Sequence, residues 1–212
     1  MEDGVFVHGS REGREIALTF DACPVPENPA FAADLVSYLR EARVPATFFV
    51  AGTWAQANPQ ALRALAGVPY FELALHGHRH PSLADAPAAL VRSEIVEGRE
   101  ALRAMGIAPV ALFRPPFGDR PAALGSVGRE EGVLPVLFDA GLGDPDPGRD
   151  AAALERDAIR WVQAGSIILL HANGRGVATA QAVRDLVPAL QARGYRFVKV
   201  SELVRSCGAS SR

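Results

Sequence analysis

The sequence predicts an α/β fold, a distorted or incomplete (β/α) barrel of about seven mainly parallel strands with surrounding helices. Short apolar segments rich in β-branched and aromatic residues alternate with longer helical patterns along the chain. Ionisable residues recur at the ends of those segments, where α/β folds place their chemistry. At 212 residues the chain is short for such a barrel, and a doubly wound open sheet is the competing architecture. No linker, low-complexity tract or residue-level repeat interrupts it, so it reads as a single domain over 1–212, with 1–14 an N-terminal extension and 15–205 the barrel.

In chain order, strands are expected at Ile16–Phe20, Ala46–Val50, Phe71–Leu75, Val110–Phe113, Val133–Phe138, Ser166–Leu170 and Tyr195–Val200. Phe31, Leu35 and Leu39 recur every four residues, one apolar stripe of a first helix. Asn28-Pro29 and Asn58-Pro59 each put a capping side chain before a proline suited to a first helical turn. Gly106, Gly165 and Gly194 each follow a helical pattern, where a left-handed terminating residue belongs.

Composition removes several classes of function. Hydrophobic residues make up 49% and charged residues 22%, a globular balance. With 22 basic and 24 acidic residues the net charge is −2, so no concentrated positive field offers itself to nucleic acid. No apolar run approaches the roughly 20 residues of a membrane span, the nearest being Ile167 to Leu170, and Met1 to Arg14 lacks the apolar stretch of a signal peptide. Cys23 and Cys207 are too few for a disulfide framework or a cysteine zinc site, and one bridge between them stays open.

The strand ends carry Asp21, His76, Arg114, Asp139 to Asp144, and His171. A single polar residue there marks only the turn into a loop, but five such ends in one chain point to an active site. His76-Gly77-His78-Arg79-His80-Pro81 packs three of the five histidines together, and imidazole is a common metal ligand. On a helical turn His76 and His80 converge on one ion; in an extended segment His76, His78 and His80 share one side; a solvated loop is the bland alternative. His171 ends an apolar run typical of a strand buried on both faces. Asp144 or Asp139 could orient its ring, as a general acid requires.

Leu18-Thr19-Phe20-Asp21, His76-x-x-x-His80-Pro81, Arg114-Pro115-Pro116-Phe117-Gly118 and Leu169-Leu170-His171, in this order, resemble the motifs of the polysaccharide deacetylases, carbohydrate esterase family 4. The resemblance runs from about Ile16 to Val200. It implies a distorted barrel that uses a divalent metal, zinc as a rule, to remove acetyl groups from an N-acetylated polysaccharide, releasing acetate and a free amine. Under it Asp21 resembles the catalytic base, Arg114 the arginine that holds the base, His171 the general acid and Asp144 the carboxylate that tunes that acid. His76 and His80 resemble the metal ligands. The Phe117 backbone N–H matches an oxyanion donor, and Pro116, Phe117, Phe138 and Leu169 the substrate-binding positions. The implied partner is an acetylated glycan, and the implied location is periplasmic or extracellular. A catalytically impaired domain that binds acetylated glycan, and a related barrel amidohydrolase on a small non-sugar amide, are the alternatives.

Three positions depart from the family pattern. The family's second aspartate, a metal ligand, falls on Ala22, which leaves two protein ligands where catalytic zinc has three. Water or an anion could fill the place, or His78, Asp139 or Asp144 could supply it, or the metal could be absent; retained metal binding is the expectation. Gly77 stands for a Ser or Thr and is expected to loosen one supporting hydrogen bond. Pro145 stands for a Trp of the pocket wall. Cys23 reads as a buried structural cysteine. Trp54 could stack on a sugar ring, and Trp161, in a helical pattern with Leu154 and Ala158, reads as core.

Overall fold

A computed structural model of the chain describes residues 3–24 and 31–209. Its elements are β1 (Glu15–Ala22), α1 (Ala33–Glu41), β2 (Ala46–Val50), α2 (Gly52–Ala57), α3 (Pro59–Ala66), β3 (Phe71–Leu75), α4 (Ala88–Ala104), β4 (Leu112–Phe113), α5 (Leu124–Glu130), β5 (Leu134–Pro135), β6 (Ala140–Gly141), α6 (Ala151–Trp161), β7 (Ile167–His171), α7 (Thr179–Ala192), β8 (Arg196–Val198) and α8 (Val200–Ala209). The strands pair in parallel in the order β5-β4-β3-β2-β1-β7-β6. β1 is the hub: β2 pairs with its last residues, β7 with Ala17–Asp21, and β8 with Glu15–Ala17.

Side-chain alternation along the strands builds two layers. Ile16, Leu18, Phe20, Phe48, Ile168 and Leu170 face outward, against Leu35, Leu39, Leu62, Leu65, Leu154, Leu186 and Leu190 of the helices. Ala17, Phe49, Ala74, Leu112, Ile167 and Val198 face inward and form one cluster with each other. Inward side chains from strands this far apart in the sheet meet only if the sheet curls. The result is a curled half-barrel with helices outside, and the flat doubly wound alternative is excluded.

Local expectations fare unevenly. The β2 and β3 boundaries match the pattern. β5 is shorter than the pattern suggests, Leu134–Pro135: the Leu134 and Val136 N–H groups donate along β4 to the Ala111 and Phe113 carbonyls, while the other edge pairs with the N-terminal segment, Phe6 N–H donating to the Pro135 carbonyl and Leu137 N–H to the Phe6 carbonyl. β6, two residues long, has no period to read. Gly106 (φ 80°) and Gly194 (φ 84°) do end α4 and α7. Gly165 does not end α6; it turns the chain before β7 at φ 78°, where a Cβ would lie 2.6 Å from the Gly9 and Ser10 backbone. Pro59 opens α3, but the Asn58 amide donates back to the Trp54 carbonyl instead of capping. Asn28-Pro29 lies outside the described residues. Trp161 is 41% exposed although Leu154 and Ala158 beside it are buried, so its assignment to the core is corrected. No disulfide joins Cys23 and Cys207.

Candidate active site

The inward alternation of β1 presents Ala17, Thr19 and Asp21, and that of β7 presents Ile167, Leu169 and His171. The strands run in parallel with Asp21 and His171 as register partners. Both emerge at the C-terminal end of the sheet, where they share a cavity of about 200 Å³ lined by Asp21, Cys23, His76, His80, Phe117, Gly118, Phe138, Pro145, Leu169, His171 and Arg175.

Asp21 is bound on one side by Arg114, whose Nη1 donates to Oδ1 at 2.7 Å and to Thr19 Oγ1 at 2.9 Å. Arg114 is fully buried, stacked 3.9 Å from the Phe49 ring centroid, and its Nη2 donates to the Leu137 carbonyl. Burial alone would raise the Asp21 carboxyl. The charges of His76, Arg114 and His171 outweigh that and hold it below its ordinary 3.8. Oδ2 is left facing His76 Nε2 at 3.4 Å.

His76 follows β3, and its Nδ1 lies 2.9 Å from the Arg114 carbonyl. A carbonyl only accepts, so Nδ1 carries the proton and Nε2 turns its lone pair to the cavity, the tautomer of a metal-ligating imidazole. His80 Nε2 lies 3.2 Å from His76 Nε2. The segment is neither helix nor strand: Gly77 at φ 77° and His80 at φ 64° fold it back on itself. His78 is thereby turned away, its Nδ1 buried against Gly52 without a partner among the described residues. The buried Glu94 carboxylate of α4 accepts the backbone N–H groups of His78, Arg79 and His80 at 2.7, 3.0 and 3.2 Å and fixes the turn. Gly77 is there for space as much as for conformation, since a Cβ would lie 2.5 Å from Glu94 Oε2; the expectation of a merely loosened hydrogen bond is corrected. Burial pushes His76 below 6.5, and burial with His76 alongside takes His80 to about 3. Both rings are therefore neutral near pH 7, the form that binds metal.

Beside Asp21 on the adjacent strand, His171 Nδ1 bonds Asp144 Oδ1 at 2.9 Å, while Asp144 Oδ2 accepts from His171 N and Thr179 Oγ1. The proton on Nδ1 leaves Nε2 for the cavity. Asp139 is committed elsewhere, to Arg11, Ser166 Oγ and Ile167 N. Of the two candidate carboxylates only Asp144 orients His171, and neither carboxylate nor His78 is placed to replace a ligand at Ala22. Phe117 stands at φ 59° in the 3₁₀ turn Pro116–Gly118 with its ring against His80, centroids 4.7 Å apart. Phe117, Phe138 and Leu169 line the cavity, with Pro116 buried behind the turn. Trp54 is buried against Phe31 and does not reach the cavity, which removes it as a sugar platform.

Sequence reasoning missed Arg175 and Glu94, and it read Cys23 as structural only. Arg175 reaches the cavity from the loop after β7. Glu94 acts from a helix distant in sequence from the turn it holds. Cys23 lines the cavity and Ala22 does not; its Sγ lies 3.5 Å from His76 Nε2, and the Cys23, His76 and His80 donor atoms all lie within 4.8 Å of one another. Burial raises the thiol pKa well above its ordinary value, with the Asp21 charge adding to it. One sulfur and two imidazole nitrogens form a donor set that suits zinc.

A carboxylate and a histidine side by side in the lining of so small a cavity are the means of hydrolytic acid–base chemistry on a parallel half-barrel. Comparison with known proteins supplies the family. The polysaccharide deacetylase family model matches residues 8–136, and the chain belongs to this family of hydrolytic enzymes. The chitooligosaccharide deacetylase of Sinorhizobium fredii is 34% identical over 195 residues, 85% of this chain and 87% of that protein. The crystal structure of a peptidoglycan N-acetylglucosamine deacetylase in complex with 4-naphthalen-1-yl-N-oxidanyl-benzamide is 26% identical, with a TM-score of 0.85 over 94% of this chain and 92% of that one. A CE4 family pseudoenzyme from Bacillus anthracis also superposes with a TM-score of 0.85, over 96% of this chain and 69% of that one, at 19% identity. That last likeness concerns the fold alone, so catalysis has to be argued from the site.

Proposed function

We propose that this chain is a metal-dependent deacetylase that hydrolyses the N-acetyl groups of a polysaccharide, of the peptidoglycan or chitooligosaccharide kind named for its relatives, giving acetate and a free amine. The observation that carries this reading is the in-register pairing of Asp21 and His171 on adjacent strands, which sets two proton-handling groups side by side in the lining of a cavity of about 200 Å³. That is below the roughly 300–1,000 Å³ of a site that swallows a whole drug-sized ligand. It suits one acetamido group with the sugar chain lying outside.

His76 and His80 hold the metal through Nε2. When bound, zinc supplies Lewis acidity to the amide carbonyl and acidifies the attacking water at neutral pH. Asp21, kept ionised by Arg114, takes the water's proton at Oδ2. The Phe117 N–H stabilises the developing oxyanion, a contribution of about 2.7–4 kcal/mol where one such donor is removed. His171 acts as the imidazolium, protonated on both ring nitrogens: it gives the amine its departing proton from Nε2, while Asp144 holds Nδ1–H and the ring plane. Phe138 and Leu169 close the cavity around the acetyl methyl. Glycans of this sort lie outside the cytoplasm, and the working place of the chain is there.

Acetate release from N-acetylglucosamine oligomers tests this. The wild-type chain is expected to release it, and Asp21→Asn to lose release while keeping its metal content. Ala22 favours one other reading, a domain that binds glycan without hydrolysing it; a metal-loaded wild-type chain that binds the oligomers and frees no acetate would establish that reading instead.

A further inference from the structure

We propose that the Cys23 thiolate is the third protein ligand of this metal, an inference that rests on the His76 and His80 assignment above. Alternation along β1 decides which side chain can serve. Ala22 belongs to the outward apolar layer, whereas the next inward position after Asp21 is Cys23, which lines the cavity. The alanine therefore leaves no hole in the site, because its methyl points the other way.

Donor spacing agrees. Zinc bonds of about 2.3 Å to sulfur and about 2.0–2.1 Å to imidazole nitrogen, at tetrahedral angles, put sulfur and nitrogen about 3.5 Å apart and two nitrogens about 3.3 Å apart. Cys23 Sγ and His76 Nε2 are 3.5 Å apart, and the two Nε2 atoms 3.2 Å. These two separations match two edges of that tetrahedron, the third pair of donors lies within 4.8 Å, and the His76 lone pair already faces inward because Nδ1 is committed to the Arg114 carbonyl. A structural cysteine would instead pack as a small hydrophobe. Cys207 does so, against the inner cluster, while Cys23 is in none of the three apolar clusters. The Asn173 side chain donates to the Cys23 carbonyl at 2.6 Å and fixes the backbone that carries the sulfur. Two nitrogens, one sulfur and an open position make a catalytic rather than a closed structural zinc site; on binding, the metal displaces the thiol proton to solvent.

The test is an anaerobic cobalt(II) titration of the full chain, read by near-ultraviolet absorption and by equivalents bound. Thiolate ligation gives a sulfur-to-cobalt charge-transfer band that nitrogen and oxygen donors do not give. Wild type and Cys207→Ser are expected to show the band, saturating at about one equivalent. Cys23→Ser is expected to lose the band and to bind about 100-fold more weakly or worse, since loss of outer-shell partners alone costs up to that. Cys23→Asp is expected to bind stoichiometrically without the band, so that loss of ligation is told apart from loss of folding. Stoichiometric cobalt without a band in wild type, a band that survives in Cys23→Ser, or no cobalt bound at all overturns the assignment. Acetate release is measured on the same samples. Release without the band sinks the ligand assignment and leaves the deacetylase reading standing, whereas the band without release does the reverse.

Discussion

Asp21 commits Oδ1 to Arg114 and turns Oδ2 to the cavity, and under the proposed function this division leaves a buried carboxylate one oxygen with which to act as the base. Near pH 7 His76 is neutral, so the charge that keeps Asp21 ionised is the guanidinium of Arg114. Arg114→Leu removes it and leaves a buried carboxylate unpaired. The expected loss is about 3–5 kcal/mol in urea unfolding, with the acid limb of any remaining activity moved to higher pH as the Asp21 carboxyl rises. An unchanged acid limb in a folded variant would mean that Arg114 does not set the protonation of Asp21. Most of this was legible in the sequence, because Asp21, His76, Arg114 and His171 each end an apolar run. Cys23, two residues beyond Asp21, was legible as well but reads as a structural cysteine; strand alternation, which puts it on the same face as Asp21, is the signal that places it in the cavity. Arg175 was not, since it sits in a loop whose path no periodicity sets.

The turn from His76 to Pro81 shows how an element without regular structure is nonetheless fixed. Glu94, buried in α4, accepts three successive N–H groups, and Gly77 gives its carboxylate room. Glu94→Ala strands those donors, each costing about 1–3 kcal/mol if left unsatisfied, and lets His80 leave its strained φ of 64°. Zinc affinity is expected to fall about 10–100-fold by competition with a chelator, with Glu94→Gln intermediate because one oxygen still accepts. Equal affinity in Glu94→Ala would show that the ligands hold their geometry unaided. The sequence offered a helical turn, an extended segment or a solvated loop for these histidines; the structure makes a loop of them, but one packed on α4 with His76 buried. The deciding residue, Glu94, is read on its own helix as one more acidic residue, and nothing local ties it to the turn. The strands were easier, since β2 and β3 are short apolar runs interrupted only by Thr47 and Glu72 and preceded by prolines, whereas β5 ends at a proline and β6 is too short to carry a pattern.

At the scale of the molecule, the curl of the sheet brings the ends of β1, β3, β4 and β7 around one cavity, which a flat sheet of the same strands would spread apart. Strand patterning alone does not separate the two, because both bury the same runs; the expected barrel is borne out by inward side chains such as Phe49, Leu112 and Ile167 meeting one another. The same fold couples stability to the site. His80 is held at about 3 in the fold against an ordinary 6.5, and His76 is lowered with it, so the unfolded chain binds more protons between those values. The metal-free protein is therefore expected to keep its full stability above about pH 6.5 and to lose it as pH falls toward 3; His80→Gln should flatten that slope in urea unfolding, and an unchanged slope would remove the histidine from it. Zinc at about 100 times its Kd adds about 2.7 kcal/mol, or about 5–11 °C in Tm for a chain of this size, and Cys23→Ser should forfeit most of that gain. The most direct measurement is acetate released from N-acetylglucosamine oligomers by the full chain, first stripped with a chelator and then given zinc back. Release that stops on stripping and returns with about one equivalent of zinc is the expected result; a folded, zinc-loaded chain that releases none would contradict the assignment of a metal-dependent deacetylase.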